Sequence, residues 1–404
     1  MHYVNRSLPV VLAAILVLSC SGLRIEKRYG TGMVVTSSPI ASGIGLQVLK
    51  SGGNAFDAAV AVGFALAVCY PEAGNIGGGG FALLYSGPTG LVTALDFRET
   101  APSAATSDMY LDSSGMVVPE ASLLGARAAG VPGTVAGLYT LWKEHGSLEW
   151  YELVKPAIDL ADTGFVVSEE LGKSFQAYRQ QLSRFAETGS IFAPGGPVLQ
   201  AGERLVQKDL ALTLERIGLD SLDGFYAGHT ADRIVATMSR HGGLISHDDL
   251  KKYRPTWRVP ISFAFDSLEV YSMSPPSSGG IMLGEILLLL EPYDFYTYSP
   301  DHPEYIHLFT EACRLAYADR AVPLGDPDFV QNPVRELLDS AYLDSRRKLI
   351  HFDRAGVSRE IGSGLSNSYS ESESTTHFSI ADKYGNIVSL TYTINTSFGS
   401  KLIV

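Results

Sequence analysis

Apolar positions fall into helical and alternating patterns along this chain, and the two predict different elements. From Pro39, residues Ile40, Ile44, Val48 and Leu49 recur at helical spacing until Gly52 and Gly53 end the run, and proline suits a first helical turn. Asn54 can cap a second helix reaching about Val68, whose AAVAVGFALAV stretch is apolar nearly all round; that predicts a helix buried on every face. MVVTSS at 33–38, FALLY at 81–85 and LVTALDFRET at 91–100 read as strands, the last presenting Asp96, Arg98 and Glu99 at its end. GVPGTVAGLYTLWKEHG leads into a helix, and helical patterning dominates from Trp150 to about Ala186 and again up to His241, with the turn-rich FAPGGPVLQAGERL between. Residues 259–273 alternate as strands, and PPSSGG at 275–280 starts an apolar helix through Leu290.

The strongest β pattern comes last, in TTHFSIADKYGNIVSLTYTINTSFGS. A turn of the five residues Asp382 to Asn386 sets Ala381 opposite Ile387, and continuing that register sets Thr375 opposite Thr393. Alternation then places Thr375, His377 and Ser379 on one face with Ser389, Thr391, Thr393 and Asn395. The other face receives Phe378, Ile380, Val388, Leu390, Tyr392 and Ile394. One face packs, and the other is rich in hydroxyls. Just upstream, GSGLSNSYSESES at 362–374 has no large apolar residue but Leu365 and Tyr369, so it cannot bury enough surface to offset its ordering entropy and is expected to be a mobile loop.

Composition narrows the class. The 404 residues are 46% hydrophobic and 18% charged with 41 glycines, which describes an ordered, closely packed α/β chain and not a disordered one or a coiled coil. The net charge of −12 is spread along the chain, which argues against nucleic acid as a partner. At the start, Arg6, the apolar run Val10–Leu18 and then Ser19 and Cys20 fit an export signal over 1–19, since nine apolar residues are too few to span a bilayer. VLSC at 17–20 is similar to a bacterial lipoprotein signal, so Cys20 is a possible lipidated first mature residue and membrane anchor. Cys69 and Cys313 then remain, and both are read as small buried side chains without a disulfide framework.

The loop GNIGGGG at 74–80 contains the dinucleotide-binding spacing in Gly77, Gly79 and Ala82, but in reversed context: that fingerprint follows a strand and opens a helix. The glycines are read instead as letting backbone approach another segment or a ligand closely. No HExxH, paired CxxC or Walker pattern occurs, and neither a metal nor an organic cofactor is expected.

A threonine at the boundary between a Ser-rich loop and a strand can carry chemistry. A cut between Ser374 and Thr375 would give Thr375 an α-amine beside its own hydroxyl, supplying base and nucleophile in one residue. With a pKa near about 8, such an amine is partly neutral at physiological pH, as a general base must be. Here the chain resembles a known family. TTHFSIADKYGNIVSLTYTINTS at 375–397 is similar to the start of the small subunit of γ-glutamyltransferases, also called glutathione hydrolases. PEAGNIGGGGF at 71–81, LDFRETAP at 95–102, GVPGTVAGL at 130–138, PPSSGG at 275–280 and EACRLAYADR with LGDPDF at 311–329 resemble the large subunit, in its order.

The resemblance implies an N-terminal-nucleophile hydrolase fold, a four-layer αββα sandwich. It implies a proenzyme that cleaves itself before Thr375, so that 21–374 is the large-subunit region, 362–374 the pre-cleavage loop and 375–404 the start of a small subunit, here truncated. It implies that Thr375 is the nucleophile, that Thr393 hydrogen-bonds it, that Asn395 helps bind the amino-acid end of a γ-glutamyl group and that Arg98 holds its α-carboxylate. The other reading of Arg98 is an ion pair with Asp96 or Glu99. His377 is read as structural, because alternation points it along the strand. The implied substrates are glutathione and other γ-glutamyl compounds, with water, amino acids or peptides as acceptors and the two subunits as each other's partners. Relatives of the same fold act on cephalosporin side chains or poly-γ-glutamate, which leaves an acylase, or an inactive exported fragment, as alternatives. The acidic residues expected to bind the substrate amine, and the serines and glycines of the oxyanion hole, fall outside this sequence, which puts activity of this chain alone in doubt and leaves its self-cleavage open.

Overall fold

A computed structural model describes residues 30, 32–293, 297–321, 324–363 and 375–404. The export signal with Cys20, and Ser374 with most of the Ser-rich stretch, lie outside the described residues. The centre is a six-stranded antiparallel sheet in the order β1-β9-β10-β2-β3-β6. Its strands are β1 (Gly32–Val35), β2 (Gly79–Tyr85), β3 (Val92–Asp96), β6 (Thr256–Arg258), β9 (Thr376–Asp382) and β10 (Ile387–Thr393). Two two-stranded ladders lie apart from it, β4 (Phe165–Val166) with β5 (Arg204–Leu205), and the hairpin of β7 (Ile261–Phe265) with β8 (Leu268–Ser272).

Against one face of the sheet packs the helical hairpin of α1 (Pro39–Lys50) and α2 (Ala55–Cys69). Every residue of α2 is buried, as its all-round apolar sequence predicts. Asn54 caps it by accepting from the backbone of Phe56 and Asp57, while Asp57 reaches back to the Asn54 N–H. Asp57 also takes the Ser147 N–H at 2.8 Å, tying this end to the loop after α3 (Thr134–His145). α4 (Trp150–Thr163) and α5 (Lys208–Asp220) extend the helical layer.

The hairpin β9–β10 has the register that alternation predicts: Ile387 faces Ala381, Ser389 faces Ser379 and Thr391 faces His377. Phe378, Ile380, Val388, Leu390 and Tyr392 fill the core, and the Tyr392 hydroxyl donates to the Gly63 carbonyl of α2 at 2.9 Å. The turn is built by Asp382, whose carboxylate accepts from the Tyr384 and Asn386 backbone and from Ala55 N, the first residue of α2. The connection is therefore also a helix cap.

Two strand ends differ from the pattern. β1 stops at Val35, because the Thr36 hydroxyl turns back to bond both the N–H and the carbonyl of Ser38, a local competitor of the sheet ladder. β2 begins at Gly79, two residues early, because Gly79 and Gly80 lie against backbone that a side chain would strike. A Cβ there would sit 2.5 Å from the Phe97 oxygen and 2.3 Å from the Thr391 oxygen, respectively.

A second helical group, α6 (Gly279–Leu290), α7 (Pro303–Arg320) and α8 (Ser340–Arg347), has its own smaller core around Leu289, Leu308, Leu315 and Leu343.

Candidate active site

Antiparallel pairing brings alternate strand ends to one edge of the sheet. β9 begins there, β10 ends, β2 begins and β3 ends. Thr375 is exposed and directly precedes β9. The last ladder pair is Thr376 with Tyr392, so Thr375, one residue before it, and Thr393, one residue after Tyr392, lie at the same end of the hairpin. On its other side Thr393 pairs with Gly79. A Cβ on Gly79 would lie 2.9 Å from the carbonyl carbon of Arg98. Thr375, Thr393 and Arg98 thus share one edge, in that order across the strands.

Local bonds shape each member. Thr393 Oγ1 accepts the Asn395 N–H at 2.8 Å, and exposed Asn395 has φ 72°, a left-handed conformation that asparagine tolerates. The Gly-rich loop is clamped behind them. Buried Asn75 accepts from Gly78 N at 2.8 Å and from the Thr134 hydroxyl at 2.6 Å. The Gly78 carbonyl accepts from Gly133 N and Thr134 N at the start of α3. Gly78 itself is pressed against Thr393, whose carbonyl oxygen would stand 2.1 Å from any Cβ. At Gly78, Gly79 and Gly80 the close approach is to backbone of the same chain.

Arg98 is exposed at the end of β3, with its N–H donating to Asp96 Oδ1 at 3.0 Å and its carbonyl accepting the Tyr253 hydroxyl at 2.8 Å. Its guanidinium lies 6.0 Å from the Phe81 ring centroid and makes no ion pair among the described residues. Asp96 is instead paired with Arg258 at 3.1 Å, and Arg258 reaches on to Asp328 at 2.7 Å. Burial pushes the Asp96 carboxyl up, opposed by the Arg98 N–H and by Arg258. Burial also pushes Glu99 up, and nearby Arg98 is among the groups pulling it back. Beyond Arg98 a cleft of about 420 Å³ opens, lined in part by Tyr253, Arg254, Arg258 and Ser278; Thr375, Thr393 and Asn395 are not among its walls.

His377 bonds along the hydroxyl face, with Nδ1 at 2.7 Å from Thr391 Oγ1 and Nε2 at 3.0 Å from Ser379 Oγ. Burial holds its pKa below the usual histidine value. Cys69 is buried beside the Ser38 hydroxyl, Cys313 is half-buried, and neither is in a disulfide. Sequence reasoning missed Arg258 and Tyr253. Both come from segments far away in the chain and neither stands in a pattern that marks it.

The solved structures that match place this fold in the N-terminal-nucleophile hydrolase class. The crystal structure of γ-glutamyltranspeptidase from Helicobacter pylori aligns with a TM-score of 0.82 at 42% identity, over 86% of this chain and 99% of that one. A cephalosporin acylase from Bacillus halodurans aligns with a TM-score of 0.80 at 29% identity, over 92% and 67%. The family model of gamma-glutamyltranspeptidase matches residues 41–404, and the chain belongs to this family. It is 47% identical over 373 residues to the glutathione hydrolase proenzyme of Pseudomonas sp. strain A14, covering 92% of this chain and 64% of that protein.

Proposed function

We propose that the chain belongs to a glutathione hydrolase proenzyme that splits before Thr375 and uses that residue on γ-glutamyl amides. The observation that supports this reading is that the start of β9, just after Thr375, and the end of β10 at Thr393 lie at the same end of the sheet as Arg98, which makes no ion pair among the described residues. In the first reaction the Thr375 hydroxyl oxygen adds to the Ser374 carbonyl carbon, and the C–N bond breaks as the nitrogen takes the proton. Water then hydrolyses the resulting ester, leaving Thr375 with a free hydroxyl and α-amine. In the second, that hydroxyl attacks the γ-carbonyl of the substrate, the α-amine receives its proton and passes it to the departing amine, and a γ-glutamyl ester remains. Water or the amine of an amino acid or peptide takes up the acyl group. Neither step calls on a metal or cofactor.

Thr393 would steady the nucleophile and Asn395 the amino-acid end of the substrate. Arg98 would grip the α-carboxylate, for which a planar guanidinium fork is suited. An acylase is the second reading, favoured by the likeness to the cephalosporin acylase structure; Arg98, without an ion pair among the described residues, speaks for a substrate that carries an α-carboxylate. The chain covers less than two thirds of the Pseudomonas proenzyme, so whole-protein activity belongs to this proposal. We further infer export through residues 1–19, with anchoring at Cys20 if that residue is lipidated, and large and small subunits meeting at 374/375. Intact mass and N-terminal sequencing after incubation at neutral pH test the central claim. The expected result is a new N-terminus at Thr375 that is absent in Thr375→Ala, and a Thr375→Ala chain that still splits there would remove the reading.

A further inference from the structure

Thr376, the first residue of β9, is a polar side chain only 2% exposed, on the packing face of the strand. Its hydroxyl shares a 3.0 Å hydrogen bond with the hydroxyl of Ser37, which lies 339 residues earlier in the chain. Ser37 is itself exposed, and its two chain neighbours are tied down. On one side Thr36 turns back onto Ser38 and bonds the Ser42 hydroxyl at 3.0 Å. On the other, Ser38 lies 3.2 Å from Cys69 of α2. The bond therefore joins the start of β9 to the junction of β1 and α1.

We propose that Ser37 is a positioning residue for the cleavage before Thr375, acting through Thr376; the role rests on the reading of Thr375 given above. A strand end frays unless something beyond the ladder holds it. Thr375 lies one residue outside the β9 ladder, and Thr376 is the ladder residue next to it. The Ser37 hydroxyl holds Thr376. It restrains the rotations that swing the Thr375 hydroxyl, and after cleavage its new α-amine, away from the end of β10. Restraint of this kind accelerates an intramolecular attack by keeping reacting atoms in near-attack geometry.

The test compares cleavage rates, by intact mass over time, in the parent chain, Ser37→Ala, Thr376→Val, the double variant and the conservative Ser37→Thr, with thermal midpoints recorded alongside. Loss of one net hydrogen bond predicts splitting about two- to tenfold slower in either single variant. The double variant is expected to be no slower than the slower single one, because both remove the same bond. Ser37→Thr restores the rate. A loss of folding stability alone would shift the midpoint without rescue by threonine and without this non-additivity. If the parent splits at Thr375 and Ser37→Ala splits equally fast, the positioning role is overturned while the proposed function stands. If the parent stays whole, both fall together.

Discussion

Gly78 shows how single residues govern the edge of this sheet. Its Cα lies so close to Thr393 that an added methyl would stand 2.1 Å from the Thr393 carbonyl oxygen, whereas Gly77, one position away, has open space around it. Gly78→Ala is therefore expected to destabilise the fold by about 1–3 kcal/mol, the cost of forcing packed backbone apart, and to move Thr393. Gly77→Ala should leave stability within about 0.5 kcal/mol of the parent, as surface substitutions away from special features do. Denaturant unfolding of the two variants measures the contrast, and equal losses would show that the clash at Gly78 is relieved at little cost. Arg98 makes a related point. In the sequence its neighbours Asp96 and Glu99 are natural ion-pair partners, yet Arg258 has taken Asp96. No adjacent residue could reveal that, because Arg258 is 162 positions away.

Between elements, the decisive connection is the turn of the β9–β10 hairpin. Its pairing was legible from the chain alone, since a strand period of two and a turn of known length leave one register that buries Phe378, Ile380, Val388, Leu390 and Tyr392 together. The docking of that turn on α2 was not legible. The Asp382 carboxylate accepts from Ala55 N at 2.9 Å, Tyr384 N at 2.8 Å and Asn386 N at 3.0 Å, and from the Asn386 amide at 2.8 Å. Asp382→Ala would leave three buried donors unpaired, at a cost of at least about 3 kcal/mol when each orphan costs about 1–3. A fall of that size in chemical denaturation is expected, with partial recovery in Asp382→Asn, which keeps one acceptor oxygen. An Asp382→Ala chain as stable as the parent would mean that the cap contributes nothing.

At the scale of the molecule, the helical group α6–α8 carries a buried charge cluster that the sheet does not need. Glu285, 1% exposed, lies near Asp319, which is paired with Arg346 at 2.9 Å. Burial first, and then the Asp319 charge, push Glu285 up to about 9. A carboxyl raised in the folded state contributes stability that is fully present below its unfolded pKa of about 4.3 and is lost as pH rises toward the folded value. Glu285→Gln, which stays neutral, should therefore gain thermal midpoint relative to the parent as pH is raised from 5 to about 9. A pH-independent difference between the two chains would show that Glu285 does not titrate in this way.

What the sequence by itself determined is what neighbours in the chain can decide: the buried helix α2, the hairpin register and the placing of Thr375 and Thr393 at the same end of the hairpin. These follow from periodicity and turn length, which act over a few residues. It also carried the motifs by which the family is known, because they are contiguous. The tertiary structure decided the partners of polar and backbone groups: which strands flank the hairpin, that the glycine loop meets β3, β10 and the start of α3, that Arg258 neutralises Asp96 and that Ser37 holds Thr376. Such choices depend on which distant segments are brought within hydrogen-bond reach when the chain closes, and a buried polar group takes whichever partner that closure supplies.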